Sequence, residues 1–115
     1  SDAMVDSRSA SVRPGHCAAL VYTSGTTGDP KAVMISHDNM VFQARCLVAL
    51  LGASCGFGVG DGEERVLSYL PLSHVAGMIN DIVMPIVLTA TRPGYMCSFF
   101  ARPYDLKERA LKDRL

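Results

Sequence analysis

Short apolar runs, separated by glycine, proline and charged residues, divide the chain into predicted strands and helices. The first such run, Cys17–Thr23 (CAALVYT), contains β-branched and aromatic residues and predicts a buried strand. A second run, Lys31–Ser36 (KAVMIS), predicts another strand. Because only the short segment SGTTGDP, rich in glycine and hydroxyl groups, separates them, the two runs predict a β-hairpin.

A helical pattern begins after the hairpin, with Ser36 or Asp38 as the expected N-cap and Gly52 as the expected end. Its apolar residues recur at helical spacing and form one stripe, consisting of Met40, Val41, Ala44, Leu47, Val48 and Leu51. This spacing predicts an amphipathic helix with one face toward the core. A glycine-rich loop is expected to follow over residues 53–64.

The second half of the chain predicts two strands and two helices. Residues 65–70 (RVLSYL) predict a strand that stops at proline. A mostly apolar helix is expected over 73–90, with a kink at Pro85. Tyr95–Phe100 predicts a further strand, and 104–115 predicts an amphipathic surface helix.

The order of these elements predicts an α/β fold. After the opening hairpin, strands alternate with helices, which favours a layered architecture with a partly parallel sheet. Residues 1–16 are polar and Ser-rich, so we expect a linker or a segment introduced by cloning. Residues 17–115 are expected to form a partial domain, because the last predicted helix would ordinarily be followed by another strand of the sheet.

Composition narrows the function classes. Apolar residues make up 49% and charged residues 19% of the 115 residues, as in ordinary globular proteins. The 11 basic residues balance 11 acidic ones, so binding to nucleic acid is not expected. The cysteines show neither zinc nor disulfide spacing, which predicts free thiols at Cys17, Cys46, Cys55 and Cys97. The polar opening shows no signal peptide, and the apolar stretch 75–90 is shorter than the roughly 20 residues that span a bilayer.

The segment 22–31, YTSGTTGDPK, contains the groups that bind a polyphosphate. Glycines let backbone N–H groups turn toward an anion, hydroxyls add donors, and lysine adds a mobile positive charge. These groups are Gly25, Gly28, Thr23, Ser24, Thr26, Thr27 and Lys31. The segment is not a Walker-type loop, because Pro30 and Ala32 flank the lysine. The plainer interpretation is a hairpin turn rich in glycine and threonine.

Two segments together resemble the adenylate-forming, or AMP-binding, superfamily. YTSGTTGDPKAVMISHDN is similar to its signature loop, and LSYLPLSH at 67–74 is similar to its next motif, at a fitting separation. GYMCSFFARPYDL is similar to the strand and turn that follow in long-chain ligases, and SYLPLSH together with SHDN resembles long-chain fatty acid–CoA ligases of the bubblegum type. The resemblance implies a piece of the large N-terminal domain of such an enzyme, although Ala32 stands where the family often has glycine.

The resemblance also implies a reaction and a set of site residues. Such ligases convert a fatty acid through an acyl-adenylate to acyl-CoA, with ATP, Mg²⁺ and coenzyme A. By position, the ATP-binding residues would be Thr23, Ser24, Gly25, Thr26, Thr27, Gly28 and Lys31. Lys31 and His74 would be catalytic, His74 by donating a hydrogen bond to developing oxyanion charge. No metal ligand is predicted within the chain.

Alternatives stay open at this point. An aryl-acid–CoA ligase, an amino-acid adenylation domain or a ligase for shorter fatty acids would share the loop. A non-catalytic scaffold would keep the fold but not the ligase activity, and the intact loop argues against it. The residues after His74 are expected either to line an acyl tunnel or to belong to the core, namely Val75, Gly77, Met78 and Ile79. We expect the chain alone to be inactive and to self-associate. The parent protein is expected in the cytoplasm or on the cytosolic face of a membrane.

Overall fold

The computed structural model describes residues 2–23 and 28–101, which form two compact units divided between Met40 and Val41. The elements, in chain order, are α1 (Asp2–Ser11), β1 (Cys17–Thr23), β2 (Lys31–Ser36), α2 (His37–Cys55), β3 (Glu63–Ser68), α3 (Val75–Met78), a π-helical turn (Ile79–Val83), α4 (Met84–Thr91) and β4 (Tyr95–Phe100). The predicted helix at 104–115 lies outside the described residues. A mixed helix and strand content of this kind confirms the α/β class.

The first unit is built on an antiparallel hairpin. β1 pairs with β2 from Cys17↔Ser36 to Thr23↔Lys31, and both strands have the predicted bounds. The prediction that β1 is buried is wrong, because Tyr22 is 67% exposed. Helix α1, within the segment expected to be a linker, has no buried residue. The extent of that linker and the domain boundary at residue 17 stay predictions.

Helix α2 begins at a reciprocal cap. The backbone N–H of Asn39 donates to Ser36 Oγ at 3.1 Å, and the N–H of Ser36 donates to Asn39 Oδ1 at 3.4 Å. Ser36 is therefore the N-cap of the two candidates. The expected end at Gly52 is wrong, since the helix continues to Cys55. Gly56 follows with a φ of 76°, the left-handed conformation that commonly ends a helix.

The second unit places helices against a parallel strand pair. β3 and β4 run parallel from Glu63↔Tyr95 to Ser68↔Phe100, as expected of a partly parallel sheet. β3 begins two residues before the predicted strand and ends two residues before its predicted end. The core consists of Ala44, Val48, Met84, Val87 and Leu88, with Leu47, Leu51, Phe57, Val83 and Met96 packed around it.

The helical connection between β3 and β4 is irregular just before its proline. α3 passes into the π-helical turn Ile79–Val83, and α4 begins at Met84 with Pro85 in its first turn. Pro85 has no N–H to donate to the carbonyl of Asp81, so regular α-helical bonding cannot continue through this point. The π-helical turn Ile79–Val83 ends two residues before Pro85, and the kink at Pro85 stays a prediction.

Candidate functional site

The strand ends of the hairpin bring two predicted phosphate-binding residues together. Thr23 and Lys31 are the last cross-strand pair before the loop, and both are exposed. Cross-strand partners share a face of the sheet, so the hydroxyl and the ammonium group belong to the same side. Thr23 Oγ1 lies 3.5 Å from the carbonyl oxygen of Lys31, too long for a strong hydrogen bond. The Thr23 hydroxyl can therefore donate to another acceptor with little loss of hydrogen-bond energy.

Gly28 has the backbone conformation that the phosphate-loop prediction requires. Its φ is 90°, in the region that side chains rarely adopt, while a Cβ added there would meet nothing within 4 Å. The glycine is therefore required by its dihedral angle rather than by lack of space. The predicted binding residues Ser24, Gly25, Thr26 and Thr27 lie outside the described residues.

Lys31 keeps its charge available. Within 2–23 and 28–101, the ion pair found joins Glu63 and Arg65, and Lys31 takes part in none. An exposed ammonium group on a flexible stem can reach phosphate oxygens without first breaking another salt bridge. The described part of the loop thus offers an unengaged cation beside a left-handed glycine.

His74 lies at the start of α3, where its ring caps the helix. The backbone N–H of Ala76 donates to His74 Nδ1 at 3.1 Å. The N–H of His74 itself donates to the Pro71 carbonyl at 2.9 Å, and its carbonyl accepts from the N–H of Met78 at 3.0 Å. Three hydrogen bonds therefore fix this residue at the end of the turn after β3, while its side chain remains exposed.

The residues after His74 separate into two groups. Val75 and Ile79 line an apolar groove of about 470 Å³ together with Gln43, Leu47, Ala76 and Asn80. Gly77 is buried against Pro71 instead, and Met78 does not line the groove. Two of the four residues considered for an acyl tunnel are therefore placed beside open apolar space. The tunnel itself stays a prediction.

Asp81, a carboxyl group in an apolar helix, has a specific partner. Ser68 Oγ donates to Asp81 Oδ2 at 2.7 Å, and Ser68 is only 3% exposed. The bond joins the end of β3 to the π-helical turn. No sequence pattern signals it, because the two residues are 13 positions apart and meet only when the helix packs on the sheet.

Charges at the start of the parallel strand pair perturb one another. The Arg65 hydrogen bond to Glu63, at 2.8 Å, is the main cause that lowers the pKa of the Glu63 carboxyl below 4.5. The negative charge of Glu63 in turn raises the pKa of Tyr95, whose hydroxyl lies 3.3 Å from Glu63 Oε2. Arg65 also lies over the Phe99 ring at 5.1 Å from its centroid. This cluster joins side chains of β3 and β4 at the start of the parallel strand pair.

A cluster of metal-ligating side chains is absent from the described residues. In the ranges 2–23 and 28–101, no group of three His, Cys, Asp or Glu residues is arranged to hold a metal ion. Magnesium in nucleotide sites is held by one or two carboxylates and by phosphate oxygens. None of the described carboxylates lies in the hairpin's phosphate-loop segment except Asp29, which is a single exposed residue.

Comparison with known proteins decides the family. The sequence model of the family described as AMP-binding enzyme matches residues 2–96, which include the loop, Lys31 and His74. The chain belongs to the AMP-binding enzyme family. The resemblance drawn from the two motifs is thereby confirmed.

The curated relatives are much longer than this chain. The long-chain-fatty-acid–CoA ligase ACSBG2 of Gallus gallus is 46% identical over 101 residues, covering 84% of this chain and 12% of that protein. The ACSBG2 ligase of Homo sapiens is 43% identical over 97 residues, covering 84% and 13%. The long-chain-fatty-acid–CoA ligase heimdall of Drosophila melanogaster is 46% identical over 77 residues, covering 67% and 11%. The chain thus spans about an eighth of the length of these relatives.

Across the described part of the chain, no helix combines the length and hydropathy needed to cross a membrane.

Proposed function

We propose that this chain carries the ATP phosphate-binding loop and the acyl-adenylate-facing histidine of an ATP-dependent long-chain fatty acid–CoA ligase. The observation that carries the proposal is the loop end of the hairpin, where exposed Lys31 is the cross-strand partner of Thr23 and Gly28 adopts a φ of 90°. Membership in the AMP-binding family supports the nucleotide, and the names of the relatives support the fatty acid substrate.

The reaction of such a ligase has two steps. The carboxylate oxygen of the acid attacks the α-phosphorus of ATP, and the bond to pyrophosphate breaks. The thiolate of coenzyme A then attacks the acyl carbon, and AMP leaves with the electrons of the acyl–oxygen bond. In this proposal Lys31 and the loop donors neutralise charge on the departing pyrophosphate, and His74 donates a hydrogen bond to acyl or phosphate oxygen.

Other parts of the proposal concern the longer protein. Magnesium neutralises phosphate charge when bound to ATP, and among residues 2–23 and 28–101 no cluster of three ligating side chains would hold it. We propose that the chain alone is inactive, since it spans about an eighth of its relatives. We also propose a location in the cytoplasm or at the cytosolic face of a membrane, and self-association through the exposed hairpin face.

ATP binding to the chain tests the loop directly. Isothermal titration should show weaker binding for Lys31→Ala by about 10- to 100-fold, the value of a hydrogen bond to a charged group. Arg13→Ala is the matched control, because it removes one positive charge from an exposed residue of the same unit. Equal affinity of the Lys31→Ala variant and the unaltered chain would contradict the role of the loop.

The reaction is tested in a chimaera in which this chain replaces the matched segment of the Gallus gallus ligase. ATP–pyrophosphate exchange should depend on a long-chain fatty acid and should fall with Lys31→Ala. Exchange driven by aryl acids or amino acids would instead support the alternative substrates. A folded chimaera without exchange, while the parent ligase is active, would support the non-catalytic scaffold.

A further inference from the structure

The turn from Pro71 to Met78 fixes more than the position of His74. A backbone N–H can only donate, so the contact from Ala76 requires a lone pair on His74 Nδ1. A neutral imidazole has one protonated nitrogen, which must then be Nε2. The cap therefore selects one tautomer.

Nε2 is the nitrogen left for a ligand. Among the described residues, no hydrogen bond involves it, and the side chain is exposed. A neutral ring capped in this way can offer a donor and cannot accept a proton at Nδ1 without expelling the Ala76 N–H. Its chemistry is that of a fixed hydrogen-bond donor rather than of a general base.

Gly77 is what allows this turn to close. A Cβ at position 77 would overlap the carbonyl oxygen of Pro71 and lie 3.0 Å from its carbonyl carbon. That same oxygen accepts the backbone N–H of His74 at 2.9 Å. The obstacle is backbone, which cannot move aside as a flexible side chain would. Any side chain at 77 therefore displaces the group that holds His74 in its capping conformation.

We infer that Gly77 is a positioning residue which, with the helix cap, holds His74 as the neutral Nε2–H tautomer and so presents a hydrogen-bond donor to an anionic oxygen. The identity of that oxygen, carboxylate or phosphate, rests on the proposed function. The tautomer and the role of Gly77 do not, because they follow from the turn itself.

Long-range ¹H–¹⁵N correlation spectra of the chain, labelled with ¹⁵N-histidine, test the tautomer at about pH 8, above the reference value for imidazole. His74 should show an unprotonated Nδ1 and a protonated Nε2. His37, whose ring has no hydrogen bond among the described residues, should show a mixture. A His74 that is protonated at Nδ1, or averaged like His37, would overturn the inference. No ligase activity enters this measurement, so its failure is distinct from failure of the proposed function.

Substitution tests the positioning role. Gly77→Ala should give a mixed His74 tautomer and faster exchange of the Ala76 amide, by about fivefold, which corresponds to a lost cap. Gly62→Ala is the matched control, because a Cβ there meets nothing within 4 Å. An unchanged His74 spectrum in a folded Gly77→Ala chain would refute the role.

A second pair of variants covers the case in which Gly77→Ala does not fold. His74→Asn keeps a side-chain acceptor at the cap, whereas His74→Ala does not. Slow exchange of the Ala76 amide in the asparagine variant, and about fivefold faster exchange in the alanine variant, would support the cap. Equal exchange in the two would overturn it.

Discussion

Replacing Ser68 by alanine should destabilise the second unit more than the same substitution at Ser98. Both serines lie on the same face of the β3–β4 pair. Ser98 is in register with the β3 position two residues before Ser68, and side chains two positions apart in a strand point to the same side. Ser68 Oγ donates to Asp81 at 2.7 Å. Ser98 Oγ is buried and has no hydrogen-bond partner among the described residues. Both substitutions remove a serine hydroxyl, but only the hydroxyl of Ser68 has a hydrogen-bond partner among the described residues.

The magnitudes follow from those situations. A hydrogen bond to a charged group contributes about 1.5–3 kcal/mol to the free energy of unfolding. Asp81 is half-buried, so water replaces part of the lost bond and about 1.5 kcal/mol is expected for Ser68→Ala. Removing the unpaired hydroxyl of Ser98 leaves no acceptor unsatisfied and should be neutral, or stabilising by up to about 1 kcal/mol.

Urea unfolding measures the difference. The chain has no tryptophan, so the transition is followed by far-ultraviolet circular dichroism. Asp81→Ala and the double variant Ser68→Ala/Asp81→Ala complete a cycle that should give a coupling of about 1 kcal/mol or more. If Ser68→Ala and Ser98→Ala shift the midpoint equally, or if the two changes of the cycle are additive, then the bond between strand and π turn does not contribute as argued.

Two further predictions concern the start of α2 and the charges of β3. Ser36→Ala should lower the free energy of unfolding by about 1 kcal/mol in the same urea assay, through loss of the cap, and a neutral effect would show that Asn39 suffices. Arg65→Gln should raise the pKa of Glu63, observed by NMR titration of its carboxyl. Folding lowers the pKa of Glu63, so its ionised carboxylate stabilises the folded chain above pH 4.5. This stabilisation is lost as the pH falls through the lowered pKa of the folded state. A Glu63 titration that Arg65→Gln leaves unchanged would exclude Arg65 as the cause.

The strands of the hairpin could be predicted from sequence because their signals are local. Cys17–Thr23 and Lys31–Ser36 are apolar runs bounded by turn residues, and their observed bounds are those predicted. The same holds for Tyr95–Phe100. The start of β3 was missed because Glu63 and Glu64 are charged and follow a glycine-rich loop. They become strand residues through pairing with Tyr95 and Met96, a contact across about thirty positions.

Burial was harder to predict than secondary structure. An apolar strand predicts a covering layer, but Leu20 and Met34, which are register partners, are 53% and 74% exposed. Periodicity reports which residues share a face, not which element covers it. Self-association through this hairpin face, or its coverage by other parts of a longer chain, is therefore a separate prediction from the strand itself.

The candidate site likewise has features that the sequence predicts and features that only the structure shows. The resemblance to the family's two motifs marks Lys31 and His74 as candidate site residues by their positions. It cannot identify which nitrogen of His74 is available, since that depends on where α3 begins and on the amide of Ala76. It also cannot show whether Gly77 lines a tunnel or lets two backbone segments pack closely. That distinction depends on the carbonyl of Pro71, which a Cβ at position 77 would overlap. The sequence therefore supplies a histidine at this position, while the geometry of the turn leaves Nε2 as the ring nitrogen without a partner among the described residues.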